Sequence, residues 1–368
     1  MSDSGCLASA RRLHGHLAAT HLEENLLIGP DPGVRFNLRF RRFLKSALPS
    51  VDWRDNYCFL QTQGYWCRAN RKLFDLTGES RFRDLSLETG KAVLRMQQGE
   101  GYWAYPLPER KNLIATLEGN WAALTLLEAY AHLGEQRYLQ AALRWYEFLQ
   151  QRIGFQKYRT GLAVNYFDRP RGNVPNNSTN TLYFLYRLAE ATGEAKRKEQ
   201  AEGLIRFLTE VQLPTGELPY IVESPQEARR DHYLCYQYNA FQFLELAAVY
   251  RMGEESLRKI LEPLAAFLAG GVLLNGASRF NCFRRHPEVN YYTAVLGAAL
   301  LEAQRLNLGD YAQLSNNCYR RLLNRQLESG GFEYSEKDYG ILRDRRSYPR
   351  NQAMILFHLL MRAEAERE

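Results

Sequence analysis

Apolar residues along this chain gather in long blocks, each closed by a glycine and followed by a more polar, amphipathic stretch. Five apolar blocks read "CFLQTQGYWCRANRKLFDLTG" (58–78), "NWAALTLLEAYAHLG" (120–134), "TNTLYFLYRLAEATG" (179–193), "YNAFQFLELAAVYRMG" (238–253) and "YYTAVLGAALLEAQRLNLG" (291–309). They are apolar around most of a helical circumference, which predicts helices buried on several sides. The glycine that ends each one suits the left-handed position just beyond a helix C-terminus.

The polar stretches after the glycines open on an acidic residue, favourable at a helix N-terminus. They read "ESRFRDLSLETGKAVLRMQ", "EQRYLQAALRWYEFLQ", "EAKRKEQAEGLIRFLTEVQ", "ESLRKILEPLAAFL" and "DYAQLSNNCYRRLLNRQ". Gly78, Gly134, Gly193, Gly253 and Gly309 are separated by 56, 59, 60 and 56 residues, so the chain repeats a helical hairpin. Three outer stretches run into a related signature, "QQGEGYWAYP" (97–106), "QLPTGELPY" (212–220) and "QLESGGFEYS" (326–335). A sixth inner helix fits 347–365 and a sixth outer helix fits 36–48. Six inner and six outer helices can close into a ring, which leaves no apolar terminal face bare as an open superhelix would. The expected fold is therefore all-α, an (α/α)6 toroid over 36–368, preceded by a partly flexible N-terminal extension over 1–35.

Composition narrows the class. With 45% hydrophobic and 24% charged residues the chain is long enough for a large core, and no stretch has the length of a transmembrane helix. The first twenty residues lack an uninterrupted apolar signal-peptide core, so a soluble, cytoplasmic protein is expected. Six scattered cysteines without a CxxC pair predict reduced thiols and no metal site. The net charge of +7 favours anionic partners. No nucleic-acid module accompanies it.

In such a ring the glycine turns share one face, and the long loops and inner-helix N-termini share the other. The loops are rich in Trp, Tyr, Asn, Arg and carboxylates, groups that stack on sugar rings, bond hydroxyls and grip anionic groups. Asp52, Asp55, Glu118, Asp168, Glu223, Asp231, Glu288 and Asp344 are candidate carboxylates for glycoside hydrolysis. Chemistry beside a uronate carboxylate would use Arg to neutralise it and Tyr or His to move a proton. "DHY" (231–233) and "RRHPE" (284–288) combine His, Arg and carboxylate. On this reading His232, Tyr236, Glu118 and Asp168 are candidate catalytic residues. Trp53, Trp103, Trp121, Asn177, Tyr238, Arg284, Arg285, Tyr291, Arg346 and Tyr348 are candidate substrate-binding residues. No cofactor is expected.

The chain resembles the six-hairpin glycosidase-like toroids, which include glycoside hydrolases, uronate lyases and sugar epimerases. "LEGNWAALTLLEAYAHLGEQRYLQAALRWYEFL" with "GLAVNYFDRP" and "NNSTNTLYFLYRLAEATGE" is similar to the helical domain of glucuronyl C5-epimerases. The tail from "RQLESGGFEYSEKDYG" onward is similar to a VpsJ-type polysaccharide-biosynthesis family. The resemblance implies action on an anionic oligo- or polysaccharide, or its lipid-linked precursor, alongside other polysaccharide-assembly proteins. A glycan- or glycosyltransferase-binding scaffold is the non-enzymatic alternative. A terpenoid-cyclase or prenyltransferase-like toroid is a further one, without the DxDD or DDxxD motifs such chemistry uses.

Overall fold

The computed structural model describes residues 5–34, 40–49, 51–110 and 112–368. Six inner helices follow one another around an axis: α3 (Leu60–Thr77), α5 (Thr116–Leu133), α7 (Pro175–Thr192), α9 (Cys235–Arg251), α11 (Asn290–Arg305) and α13 (Pro349–Ala365). Each packs on the next, and α13 packs back on α3, so the ring is closed. Five outer helices lie between or behind them: α4 (Ser80–Arg95), α6 (Gln136–Phe148), α8 (Ala201–Val211), α10 (Arg258–Ala269) and α12 (Ala312–Leu323). The apolar blocks and their amphipathic followers thus form the inner and outer layers the pattern predicts.

Gly78, Gly134 and Gly193 cap their helices in the left-handed conformation as expected, whereas α9 and α11 are capped by Met252 and Leu306, with Gly253 and Gly309 further along the turn. Gly134 caps α5 with φ +65°, and its amide donates to the Tyr130 carbonyl. Nothing lies near the place a Cβ would occupy there, so backbone conformation alone selects glycine.

The sixth outer helix is not where the pattern over 36–48 puts it. Residues 36–39 lie outside the described residues, and the rest of that stretch is a short helix, α2 (Arg41–Ala47), against the loop face. The outer position is filled by α1 (Gly5–Thr20), which packs on α12 and α13. It buries Cys6, Leu7, Ala10, Leu13 and Leu17, a three-to-four-residue spacing that forms one helix face. The stretch expected to be an extension therefore holds a helix of the ring; its residues 1–4 and 35 lie outside the described residues.

The recurring Gln-to-Gly signature shows why α1 belongs there. Gln97 Nε2 donates to the Gly101 carbonyl and to Ala141 of α6, each at 2.9 Å. Gln212 Nε2 does the same to Gly216 and Ile260 of α10, at 2.9 and 3.0 Å. Gln326 Nε2 donates to Gly330 and to Ser9 of α1, at 2.7 and 2.9 Å. Each clasp ties one outer helix to the following outer helix. In the third, the follower of α12 is α1. A Cβ on Gly330, whose φ is +86°, would stand 2.5 Å from the Arg12 carbonyl oxygen, so the clasp requires glycine there.

Strands occur only in the connections. β1 (Leu22–Glu23) pairs with β2 (Leu26–Leu27), and β3 (Phe155–Tyr158) with β4 (Gly161–Val164). β5 (Glu288–Val289), β6 (Ser335–Asp338) and β7 (Leu342–Asp344) form an antiparallel sheet joining the connection before α11 to the one before α13. Among the described residues no helix is long and apolar enough to cross a membrane.

Candidate functional site

The N-terminal ends of the six inner helices surround a cavity of about 580 Å³. Gln61, Leu117, Asn176, Tyr238, Tyr291 and Asn351 bring one residue from each helix into its lining. Nine lining residues are tyrosines, some on helices and some on the loops that rise above them, such as Tyr166, Tyr220 and Tyr334. Aromatic faces carrying hydroxyls suit a flat, hydroxylated ligand such as a sugar ring.

A second cavity, about 450 Å³, opens on the glycine-turn side. The two meet at Tyr65, Phe241 and Glu245, which line both. These three residues form the floor of the loop-face cavity. Glu245 Oε1 accepts from Asn180 Nδ2 at 2.7 Å and Oε2 from Thr179 Oγ1 at 2.8 Å. Burial in the ring pushes its carboxyl up to about 7, against those hydrogen bonds and the Arg68 charge, which pull it down. A carboxyl that titrates near neutrality can both take and return a proton.

The tyrosines are held in the opposite state. Burial raises Tyr220 to about 12 and Tyr238, Tyr291 and Tyr292 further, so near neutral pH these hydroxyls are protonated donors. Cationic groups stand around them. Arg350 pairs with Asp31 at 2.8 Å, Arg42 with Asp338, and Lys337 with Glu288 at 2.6 Å. Arg284 also lines the cavity, and has no carboxylate partner among the described residues.

Of the residues singled out from the sequence, the structure brings Tyr238, Arg284 and Tyr291 together in this lining. The others are placed elsewhere. His232 lies on the connection before α9, where its Nδ1 is 2.8 Å from Glu217 Oε2. Tyr236 stacks on Phe267 of α10, with ring centroids 4.9 Å apart. Asp168 Oδ1 accepts from the Ile114 amide at 3.2 Å and fastens two loops. Trp103 is buried and donates to the Val93 carbonyl, whereas Trp53 donates to Leu48. Trp121 stacks against Tyr65 and lines the turn-side cavity. Asn177 is fully buried within α7, and Arg285 is exposed. Arg346 forks onto Asp55, both contacts at 3.0 Å. Tyr348 donates to Asp344 at 2.9 Å.

Glu118 shows why a buried, raised carboxyl need not be a site. Burial pushes it to about 7, as it does Glu245. Its Oε2 nevertheless accepts from the Leu60 amide at 2.6 Å and the Gln61 amide at 3.4 Å, so it caps the neighbouring helix α3. Glu118→Gln should cost about 1 kcal/mol of stability, as loss of a helix cap does, and leave turnover within a few-fold. Denaturant unfolding beside an activity assay checks this. A loss of turnover without a loss of stability would give Glu118 a catalytic part.

The residues that sequence reasoning passed over lie on axial stripes of the inner helices. Gln61, Tyr65, Arg68 and Lys72 recur every three or four residues along α3, as do Tyr238, Phe241 and Glu245 along α9. A carboxylate in the middle of "FQFLELAAVY" was the available signal, because an ionisable group inside an all-round apolar helix is costly unless it faces a cavity. The fold also gathers Glu217, His232, Cys235 and Cys282, although the cysteine spacing predicts no metal site. Their donor atoms all lie within 4.8 Å of one another.

No protein-family model and no curated protein matches the chain. Solved structures do. A cellobiose 2-epimerase from Bacillus thermoamylovorans B4167 superposes with a TM-score of 0.74 at 13% identity, over 97% of this chain and 99% of that one. The chain is an (α/α)6 toroid. A polysaccharide lyase matches with a TM-score of 0.68 at 11% identity, over 99% of each chain. A family 76 glycoside hydrolase (mannosidase) from Bacteroides thetaiotaomicron VPI-5482 matches at 0.69 and 12%, again over 99% of each. The likeness at these identities is one of fold.

Proposed function

We propose that this toroid is a carbohydrate-modifying enzyme that binds an anionic, uronate-type glycan in the loop-face cavity and transfers a proton on it through Glu245. The observation that carries the reading is the Glu245 carboxyl, poised near neutrality at the floor of a cavity walled by tyrosine. The fold neighbours described as an epimerase, a polysaccharide lyase and a mannosidase support a carbohydrate substrate. Arg284, which has no carboxylate partner among the described residues, supports an anionic one, since a guanidinium fork matches a carboxylate. The sequence resemblances to VpsJ-type proteins and C5-epimerases support a part in polysaccharide biosynthesis or modification. Six free cysteines suit a reducing compartment such as the cytoplasm.

In this mechanism the ionised Glu245 takes the proton from C5, beside the sugar carboxylate. Arginine and tyrosine O–H groups hold the negative charge that develops on that carboxylate. A tyrosine O–H on the opposite side of the cavity that gives its proton to the other face of C5 yields the epimer, and proton exchange with solvent then resets Glu245 and the tyrosine. If a tyrosine O–H instead protonates the C4 oxygen as its bond to C4 breaks, the products are an alcohol and an unsaturated sugar. Hydrolysis would use two carboxylates across the bond. Among the described residues the only other carboxylate in the lining is Asp338, which Arg42 and Ser335 engage.

Incubation in D2O with a panel of uronate-containing oligosaccharides tests the reading, followed by NMR and mass spectrometry. Deuterium entering the uronate ring, or an unsaturated product, is the expected result. A glycan that binds without exchange or turnover would overturn it in favour of a scaffold. Thermal protection by polyprenyl diphosphates and not by glycans would overturn it in favour of an isoprenoid-handling ring.

A further inference from the structure

Behind the wall of the loop-face cavity the chain assembles a set of side chains that the proton-transfer chemistry does not use. Glu217 and His232 lie on the connection between α8 and α9, Cys235 is the first residue of α9, and Cys282 belongs to the loop before α11. His232 Nδ1 is 2.8 Å from Glu217 Oε2, which is 3.7 Å from Cys282 Sγ. Cys235 Sγ is 2.6 Å from Cys282 Sγ. We propose that Glu217, His232, Cys235 and Cys282 bind one zinc ion, which clamps the connection before α9 to the loop before α11.

Four observations support a metal site over a chance cluster. The donor types are right, because two thiolates, an imidazole and a carboxylate are ligands that zinc accepts in tetrahedral sites. Their grouping is compact, with all four donor atoms within 4.8 Å. Sulfurs each about 2.3 Å from one tetrahedral zinc are roughly 3.8 Å apart, so one ion fits the set after a small separation of the two sulfurs. The second carboxylate oxygen, Glu217 Oε1, is buried with no hydrogen-bond partner, although Glu217 itself is fully inaccessible. An ionised carboxylate in that position requires a compensating positive charge. Finally, the Cys282 amide donates to Cys235 Sγ at 3.0 Å, the kind of outer contact that orients a metal-bound thiolate.

Four protein ligands leave no open position, which identifies a structural zinc. Its consequence for the site follows from chain connectivity. One clamped segment carries Tyr220, Tyr233 and Leu234, and the other carries Phe280, Arg284 and His286, all of them in the cavity lining. The first segment has only isolated bridges, Ile221 with Arg230 among them, and the second holds only the two-residue strand β5, so the ion fastens a part of the wall that helices do not. The inference stands apart from the proton-transfer reading, since any ligand of the cavity would need that wall.

Elemental analysis of the purified full-length chain should find about one zinc per molecule. Exchange for Co2+ should give the visible bands of a tetrahedral site together with near-ultraviolet thiolate-to-cobalt charge transfer. Cys282→Ser should weaken zinc binding at least 100-fold and remove part of the charge-transfer intensity. Cys58→Ser, a cysteine outside the cluster, should leave both unchanged. The wild-type cobalt spectrum is informative even if Cys282→Ser fails to fold. A wild-type protein that takes up neither zinc nor Co2+ under reducing conditions would overturn the proposal. So would peptide mapping that finds Cys235 and Cys282 joined as a disulfide in protein purified from a reducing cytoplasm.

Discussion

Glu245→Gln should lower uronate exchange or turnover at least 1,000-fold while leaving glycan affinity within about five-fold. Glutamine keeps the shape of the side chain and can still accept from Asn180 or Thr179, but it cannot carry a proton between bond-breaking and bond-forming positions. Loss of a positioned acid/base contributes about 100- to 10,000-fold, and Glu245 is the lining carboxyl that burial holds near 7. The same variant carries an independent signature in stability. Because the folded-state value of Glu245 is raised from 4.5 to about 7, the protonated form is favoured in the native ring. The wild type therefore loses stability as pH climbs from about 4.5 to about 7, and the loss is complete above that window. Glu245→Gln removes the loss, so relative to wild type it should be more stable at pH 8 than at pH 5, by about 2 kcal/mol after allowing for water in the cavity. Thermal unfolding at the two pH values measures the difference. Full activity in the glutamine variant would remove Glu245 from the mechanism. An unchanged pH dependence would show that its carboxyl is not perturbed.

The same residue shows how far the sequence could be read. The layers of the ring were legible because they rest on local rules. Apolar periodicity marks the inner helices, amphipathic periodicity marks the outer ones, and Gly78, Gly134 and Gly193 end helices in a conformation that glycine adopts without strain. The lumen was less legible because it is defined by contact between helices distant in sequence. Tyr238 and Tyr291 are neighbours of the cavity, whereas Tyr236 and Tyr348, of the same type and similar setting, turn into packing against Phe267 and Asp344. Rotation of a helix by one or two positions decides between the two outcomes, and periodicity does not fix that phase when the helix is apolar all round. Loop tryptophans misled for a related reason. Trp103 is large enough to be recruited into the core, where its ring lies tilted beside Trp145 and its indole N–H is satisfied by a backbone carbonyl. The cysteine cluster was invisible to spacing rules because its donors come from two connections distant in sequence, the one leading into α9 and the one leading into α11.

Deleting residues 1–21 should prevent the chain from folding into a soluble monomer, the largest effect expected of any change to the ring. The segment looks expendable in sequence, since Arg11, Arg12, His14 and His16 interrupt its apolar residues. Those interruptions follow the helical period. His14 is buried, stacks on Trp66 with centroids 4.6 Å apart and bonds to Asn70 at 2.9 Å, and burial lowers its imidazole to about 4, so it enters the core neutral. Leu7, Leu13 and Leu17 are each within 1% of full burial. At about 1.5–3 kcal/mol for each buried leucine, these three alone contribute roughly 5–9 kcal/mol. That is comparable to the whole net stability of about 5–15 kcal/mol typical of a domain. Removal would also break the Gln326–Ser9 clasp and bare the apolar faces of α12 and α13, leaving an open ring with an exposed edge. Circular dichroism, size-exclusion chromatography and soluble yield of the truncated chain check the outcome. A monomer with native melting behaviour would make α1 an appendage, whereas aggregation, relieved by adding the 1–21 peptide in trans, would show that the ring closes through its first helix.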